Sequence, residues 1–205
     1  EGCPAPFATM NHLAHALLSG PDDAFRIGGM MGDFVRGAID PALPPGIQQG
    51  IALHRAIDSF TDNHDDIRAA RAAFDPPFRR YAGIFIDIWF DHLLARNFTL
   101  WSEMPLQRFS DDIVLLLQDH DALLPDSLRR FRRYLHAHDL PAAYADRGMI
   151  GEVLRGVGSR LRRDNPLAQG LPELERLEPV LMASFGRFFP QLVGYASTWR
   201  TSNLR

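Results

Sequence analysis

The chain has 205 residues, 46% of them hydrophobic, and its 22 basic and 25 acidic side chains give a formal net charge of −3. This balance argues against broad electrostatic binding of nucleic acid, which a basic excess would indicate. The uninterrupted apolar runs are also far shorter than the roughly 20 residues needed to cross a bilayer. We therefore expect a soluble single domain with a full hydrophobic core, and neither nucleic acid nor membrane as a partner.

Residues 1–9 differ from the rest of the chain. The segment EGCPAPFAT lacks the charged and apolar regions of a secretory signal, and its two prolines disfavour a helix. We interpret 1–9 as an added or disordered leader and 10–205 as the domain. The single cysteine, Cys3, lies in this leader. The sequence therefore predicts no disulfide framework and favours a reducing compartment, the cytoplasm.

Apolar residues recur at helical spacing through most of the chain, and no segment alternates as a strand does. Proline-containing breaks separate the helical segments. The sequence therefore predicts an all-α, single-domain helical bundle. Predicted helices cover residues 10–19, 24–37, 47–62, 106–120 and 141–158, and others begin near residues 83, 127 and 170, the last with a kink at Pro190.

Two predicted helices carry acidic side chains on faces that are otherwise apolar. At about 100° per residue, His54, Asp58 and Asp62 continue an apolar stripe of the helix at 47–62. Asp87 and Asp91 lie in the same way on the helix that begins near residue 83. Because an ionised carboxylate moved out of water costs many kcal/mol unless a cation meets it, we expect a metal ion at these faces.

His54 and Asp58 are four residues apart on one helix face, a spacing that lets both bind one ion. The pair alone is weak support, since a lone inward histidine is more often a satisfied core residue. Mixed carboxylate and imidazole ligands suit Mn²⁺, Fe²⁺ or Mg²⁺. The further candidate ligands are His15, Asp33, Asp62, Asp87, Asp91 and His92.

A centre of this kind in a helical protein could hydrolyse a phosphoester or activate oxygen as a di-iron site. Di-iron bundles use Glu-x-x-His pairs, which the sequence lacks, so phosphoester hydrolysis is favoured. Arg36 and Arg55 lie near candidate ligands and could hold phosphate oxygens. For Arg36, an ion pair with Asp33 three residues earlier is the alternative.

All of the basic residues are arginines, and two groups of them are clustered. One group lies on the polar face of the predicted helix that begins near residue 127, and the other follows the helix at 141–158. The ordinary interpretation is a solvated basic surface, and the other is a docking patch for an acidic partner. The groups are Arg129, Arg130 and Arg133, and Arg160, Arg162 and Arg163.

Several short motifs occur in an order that is more specific than any one of them. They are Asn11-x-Leu13-Ala14-His15, Gly32-Asp33-Phe34-Val35-Arg36-Gly37, His54-Arg55-x-Ile57-Asp58-x-x-Thr61-Asp62-Asn63, Asp87-x-x-x-Asp91-His92 and Ser159-Arg160. At these residues the chain resembles the bacterial acyl carrier protein phosphodiesterases, which are regarded as distant relatives of the HD-domain metal phosphohydrolases. The resemblance extends from Met10 to about Arg163.

The resemblance implies an HD-domain-like helical fold and removal of the 4′-phosphopantetheine arm from holo-acyl carrier protein, with a Mn²⁺-type ion. The carrier protein is acidic, so both arginine groups would face it. Asp58 or His92 would act as the base, and whether His12 joins the site is left open. The implied metal residues are Asp33, His54, Asp58, Asp91 and His92. The implied catalytic residues are Asp58, His92, Asp62, Arg55 and Arg36.

Two other functions fit the same residues. An HD-type phosphohydrolase acting on a nucleotide would share the metal site but would need no arginine patch. A non-catalytic helical binding module would instead hold its acids in salt bridges with arginine and would need no metal. Metal content and activity on holo-carrier protein distinguish the three hypotheses.

Overall fold

The computed structural model describes residues 11–203 and folds them into nine α-helices joined by short 3-10 turns, with no strand within that range. The all-α prediction is confirmed. Residues 1–9 lie outside the described residues, so their interpretation as a leader stays a prediction. The helices are α1 His12–Leu18, α2 Asp23–Met31, α3 Pro45–Asp62, α4 Asp65–Ala72, α5 Ala82–Arg96, α6 Leu106–Asp119, α7 Asp126–Ala137, α8 Arg147–Gly158 and α9 Leu171–Asn203.

The helix predicted at 24–37 ends earlier than its sequence pattern suggests. α2 stops at Met31, and a 3-10 turn, Gly32–Phe34, follows it. Asp33 therefore leaves the helical register, and its side chain is only 6% exposed. Arg36 lies beyond this turn and is exposed. Asp33 and Arg36 therefore do not lie on one continuous helix, which the predicted intrahelical ion pair between them requires.

Local sequence signals explain how several helices begin. The Asp22 carboxylate accepts a hydrogen bond of 2.9 Å from the Phe25 amide and caps α2. Asp146 caps α8 by accepting a bond of 2.9 Å from the Gly148 amide. α9 continues through Pro190 as one helix of 33 residues. Among the described residues, no helix combines the length and apolarity that spanning a membrane requires.

α2 and α3 approach each other at backbone distance, and this contact sets where the polar face of α3 lies. A Cβ atom added to Gly28 would be 2.3 Å from the Ile47 carbonyl oxygen, and one added to Gly50 would be 2.4 Å from the Phe25 carbonyl oxygen. Glycine is therefore required on both helices, because only a missing side chain permits this approach.

α5 lies in the interior of the fold and is buried on nearly every face. Its buried side chains include Phe85, Ile88 and Trp89, and it packs against α1, α8 and α9. One hydrophobic core of buried residues runs from α1 to α9 through this helix. α5 therefore connects the N-terminal helices, which carry the site described below, to the C-terminal half.

The close contact between α2 and α3 predicts that replacing glycine by alanine has opposite effects on stability at two positions. Gly28→Ala should lower the free energy of unfolding by about 2–3 kcal/mol, because the new methyl group overlaps backbone that cannot move aside. Gly186→Ala is the matched control, since Gly186 is exposed on α9 with no atom within 4 Å of an added Cβ. It should raise stability by about 0.5–1 kcal/mol. Urea denaturation measures both, and equal stability of the two variants would contradict the packing described.

Candidate metal centre

Two histidines and two aspartates from three segments meet in the N-terminal half. The His54 Nε2 atom lies 3.4 Å from Asp33 Oδ1 and 3.3 Å from Asp58 Oδ2. The His15 Nε2 atom lies 3.1 Å from Asp58 Oδ1, and the rings of His15 and His54 stack with their centroids 3.7 Å apart. We call these four residues the cluster. Donor atoms of His15, His54 and Asp58 all lie within 4.8 Å of one another, so one cation could bind all three.

The local sequence explains how His54 reaches this position. His54 and Asp58 are one turn apart on the inward face of α3, as their spacing predicts. Gly32 leaves the space that the imidazole occupies, because a Cβ atom there would lie 2.1 Å from His54 Cγ. The His54 Nδ1 atom is 2.7 Å from the Gly29 carbonyl oxygen, to which it donates. This bond directs Nε2 towards the carboxylates, as in a metal-binding histidine whose other nitrogen is held by the protein.

The electrostatics of the cluster favour a positive charge between the two carboxylates. Burial alone would lower the pKa of His54, but its contacts with Asp33 and Asp58 raise it to about 10. Burial acts to raise the pKa of each aspartate, but the neighbouring imidazoles hold both below the ordinary value. A proton on His54 therefore satisfies the site when no metal is bound, and a divalent cation would compete with that proton.

His15 and His12 are both buried and have lowered pKa values. For His15, burial is the main cause and the charge of His54 adds to it. For His12, burial lowers the pKa to about 4, against the opposing charge of Asp33. His12 Nδ1 lies 3.8 Å from Asp33 Oδ2, and its ring packs on Phe131 with centroids 4.4 Å apart. The structure thus brings His12 next to the cluster and places neutral His15 within it.

Asp91 and His92 were predicted as metal ligands, but the structure does not bring them to the cluster. The two Asp91 oxygens accept hydrogen bonds from the backbone amides of Leu13 at 2.8 Å and Ala14 at 3.0 Å. Burial raises the pKa of Asp91 to about 8, against the effect of these two bonds. Asp91 therefore caps the start of α1 from α5 and orients the helix that carries His15.

His92 points to the C-terminal half of the fold. Its Nδ1 atom lies 2.7 Å from the Tyr144 carbonyl oxygen, and its ring packs on Trp89 with centroids 4.7 Å apart. Burial lowers its pKa, and the charges of Arg96 and Arg147 act in the same direction. Within residues 11–203, no ion pair or ring contact joins His92 to the cluster. We therefore correct the predicted role of His92 as a ligand or base at this site.

A cleft of about 290 Å³ opens beside the cluster. Asp58 is the cluster residue that also lines it. Asp62, predicted as catalytic and as facing inward, is exposed at the cleft, where it accepts a hydrogen bond of 2.6 Å from Arg71. The cleft is lined by Asn11, Asp58, Thr61, Asp62, Arg71, Arg80, Tyr81, Gly83, Ile84 and Asp87.

The two arginines that the sequence suggested for holding phosphate do not line this cleft. Arg55 donates a hydrogen bond of 2.9 Å to the Val35 carbonyl oxygen, and Arg36 is exposed beyond the turn. Neither lines the cleft, whereas Arg71 and Arg80 do. The signal for Arg80 was present in the run Arg79-Arg80-Tyr81 just before the acidic helix. Arg71 had no such signal, because α4 was not predicted as a helix.

Asp87 is half-buried at the cleft, where its carboxyl group faces groups of both charges. Burial is the main cause that raises the pKa of Asp87 well above its ordinary value. The charge of Asp58 adds to this, and Arg71 opposes it. The carboxyl group of Asp87 therefore favours its protonated form beside the cleft.

The predicted docking arginines are at the surface, with different partners. Arg129 is paired with Asp121 at 3.8 Å and Asp126 at 3.4 Å. The Arg160 guanidinium lies over the Tyr134 ring, 5.3 Å from its centroid. The remaining four are exposed; they are Arg130, Arg133, Arg162 and Arg163.

The role of Asp91 as a cap can be tested by substitution. Asp91→Ala leaves the buried amides of Leu13 and Ala14 without their acceptor, so the free energy of unfolding should fall by about 2–4 kcal/mol in EDTA. Asp91→Asn keeps one oxygen acceptor, so its free energy of unfolding should lie between those of Asp91→Ala and the unsubstituted protein. Urea denaturation measures the loss. An Asp91→Ala protein of full stability that no longer binds Mn²⁺ would instead make Asp91 a ligand.

Comparison with known proteins identifies the family to which most of this chain matches. The family model described as acyl carrier protein phosphodiesterase matches residues 10–192. Proteins named acyl carrier protein phosphodiesterase from Escherichia coli strains E24377A, HS and K12/DH10B are each 34% identical over 192 residues, covering 92% of this chain and 98% of the relative. No solved structure matches the chain. With this coverage and identity, the chain belongs to the acyl carrier protein phosphodiesterase family.

Proposed function

We propose that this protein removes the 4′-phosphopantetheine arm from the serine of holo-acyl carrier protein by metal-dependent hydrolysis, giving the apo protein. The names of its relatives supply the substrate. The observation that carries the chemistry is the position of Asp58, which contacts two buried histidines and also lines the adjoining cleft. A ligand set and a substrate cleft therefore meet at one residue.

The cluster fits a divalent cation. His54 is held through Nδ1 by the Gly29 carbonyl, and its Nε2 atom faces two carboxylates that need a positive charge. His15, Asp33, His54 and Asp58 would hold the ion, and this oxygen and nitrogen set suits Mn²⁺, with Mg²⁺ or Fe²⁺ as alternatives. Such an ion supplies a nucleophilic water of lowered pKa and offsets phosphate charge. The low pKa of Asp58 suits a ligand better than a base.

Two arginines of the cleft are suited to hold the non-bridging phosphate oxygens. Arg71 is oriented by its 2.6 Å bond to Asp62, which also lines the cleft. Arg80 is exposed at the cleft, and within the part of the chain that the structure describes it has no carboxylate within 4 Å. The planar guanidinium fork binds phosphate oxygens in pairs. We assign this role to Arg71 and Arg80 in place of Arg36 and Arg55.

Asp87 is suited to protonate the leaving group. Hydrolysis forms a bond from a water oxygen to phosphorus and breaks the bond from phosphorus to the serine oxygen, which must gain a proton as it leaves. Asp87 lines the same cleft as Asp58, and burial favours its protonated form. It can therefore donate a proton to the serine oxygen. The proton that the attacking water loses passes to solvent, and Asp87 recovers a proton from solvent after the serine has left.

The two competing functions are less well supported. A nucleotide phosphohydrolase would use the same cluster, but the relatives that match nearly the whole chain are named acyl carrier protein phosphodiesterase. A metal-free binding module would hold its buried acids with arginine. Asp58 instead contacts two histidines, an arrangement suited to binding a cation.

Asp58→Asn tests the central assignment. With Mn²⁺ and holo-acyl carrier protein, mass spectrometry should show loss of the prosthetic arm, and the substitution should slow that loss by about 100-fold or more while weakening Mn²⁺ binding. Asp112→Asn on α6 removes an aspartate that pairs with Arg108 at the surface, and it should leave the rate unchanged. Release of the arm at the normal rate by Asp58→Asn, or hydrolysis of nucleotides alone, would refute the proposal.

Asp87→Asn tests the proton donor by its dependence on the leaving group. The variant should turn over holo-carrier protein about 100-fold more slowly, because a serine alkoxide is a poor leaving group without a proton. Cleavage of bis(4-nitrophenyl) phosphate, whose leaving group needs no proton, should change by less than about threefold. Equal losses on both substrates would assign Asp87 to another role.

A further inference from the structure

The loop after α8 connects the cleft to exposed arginines. Tyr81 lines the cleft, and its hydroxyl donates a hydrogen bond of 3.4 Å to the Asp164 carbonyl oxygen. Arg162 and Arg163 directly precede Asp164 and are exposed. An open hollow of about 540 Å³, which both arginines line, lies along this loop. The edge of the cleft formed by Tyr81 is therefore also an edge of a basic surface.

Hydrogen bonds of Asn165 hold the loop after α8, which carries Arg162 and Arg163, in a defined conformation. The Asn165 side-chain amide donates to the Gly158 carbonyl at 2.9 Å and to the Arg163 carbonyl at 3.0 Å. The Asn165 side-chain oxygen accepts from the Leu167 amide at 3.3 Å, and Leu167 is fully buried. These contacts fix the direction in which the loop leaves α8.

The same basic surface continues onto α7. The Arg160 guanidinium packs over the Tyr134 ring of α7, at 5.3 Å from its centroid. Arg130 lies one helical turn before Tyr134, and Arg133 is its neighbour in the chain; both are exposed. The two arginine groups of the sequence are therefore joined through one cation–π contact.

Most of this positive charge is not neutralised by the protein itself. Among residues 11–203, no carboxylate lies within 4 Å of Arg130, Arg133, Arg162 or Arg163. Arg129 differs, because Asp121 and Asp126 already pair with it. The carboxylate of Asp164 is the opposing charge within the loop itself.

We propose that the substrate protein docks on an arginine band consisting of Arg130, Arg133, Arg160, Arg162 and Arg163, and that its prosthetic arm enters the cleft past Tyr81 and Arg80. The partner is a protein with an acidic surface, which under the proposed function is the carrier protein. Arg129 is outside the band. Docking therefore fixes which end of the cleft the phosphodiester reaches first, and the band raises the rate of encounter.

The double variant Arg162→Glu/Arg163→Glu tests the band at its end nearest the cleft. At low salt its kcat/KM for holo-carrier protein should fall at least tenfold, mainly through KM, and the difference should narrow as salt rises. Turnover of bis(4-nitrophenyl) phosphate, which has no protein part to dock, should stay unchanged. A loss on both substrates would instead show that the double variant damages the cleft.

The control is Arg108→Glu/Arg187→Glu, which makes the same change in net charge at arginines outside the band that are already paired with aspartates. It should keep a kcat/KM within about threefold of the unsubstituted protein. Equal losses in the two double variants would overturn the band. Failure of the proposed function would appear differently, as no release of the arm by the unsubstituted protein. Fluorescence anisotropy with labelled carrier protein would then still test the band, because Arg162→Glu/Arg163→Glu should weaken the binding of carrier protein even where no arm is released.

Discussion

Two carboxylates facing one buried imidazole are the arrangement on which the rest of the site depends. Asp33 and Asp58 lie within 3.4 Å of His54 Nε2, and the histidine cannot turn away because the Gly29 carbonyl holds its other nitrogen. The Asp33 carboxylate is buried and that of Asp58 is partly exposed at the cleft, and two negative charges so placed favour a positive charge between them. A proton on His54 supplies this charge, and a divalent cation would supply more of it, with a further nitrogen available from His15.

The surrounding fold is organised to keep this arrangement in place. Gly28 and Gly50 bring α2 and α3 to backbone contact, and Gly32 leaves room for the His54 ring. Asp91 reaches from α5 to hold the first amides of α1, the helix that supplies His15. None of these four residues contacts the substrate in the proposed mechanism. Changes to these residues should therefore alter the site through geometry.

The sequence predicted the α3 half of the site and much less of the α5 half, for a physical reason. α3 has one apolar face and one polar face, so helical periodicity shows that His54 and Asp58 point inward. α5 is apolar almost all round and buried on most faces, so periodicity cannot show which neighbour each side chain meets. Asp91 and His92 are both buried as expected, but each meets a backbone group of a different neighbour. Arg71 and Arg80 were missed because tertiary folding brings them to the cleft.

The net charge of −3 conceals a separation of charge that the fold creates. Asp33, Asp58 and Asp87 lie at the cluster and the cleft, whereas the exposed Arg162 and Arg163 lie on the loop that contacts the cleft edge at Tyr81. An anionic substrate would meet the band first and would be repelled by the cluster unless a cation occupied it. A divalent cation that replaced the His54 proton would change the formal charge of Asp33, Asp58 and His54 together from −1 to 0, and so remove that repulsion. On this argument, metal binding and substrate binding should be positively coupled, because each reduces a repulsion that opposes the other.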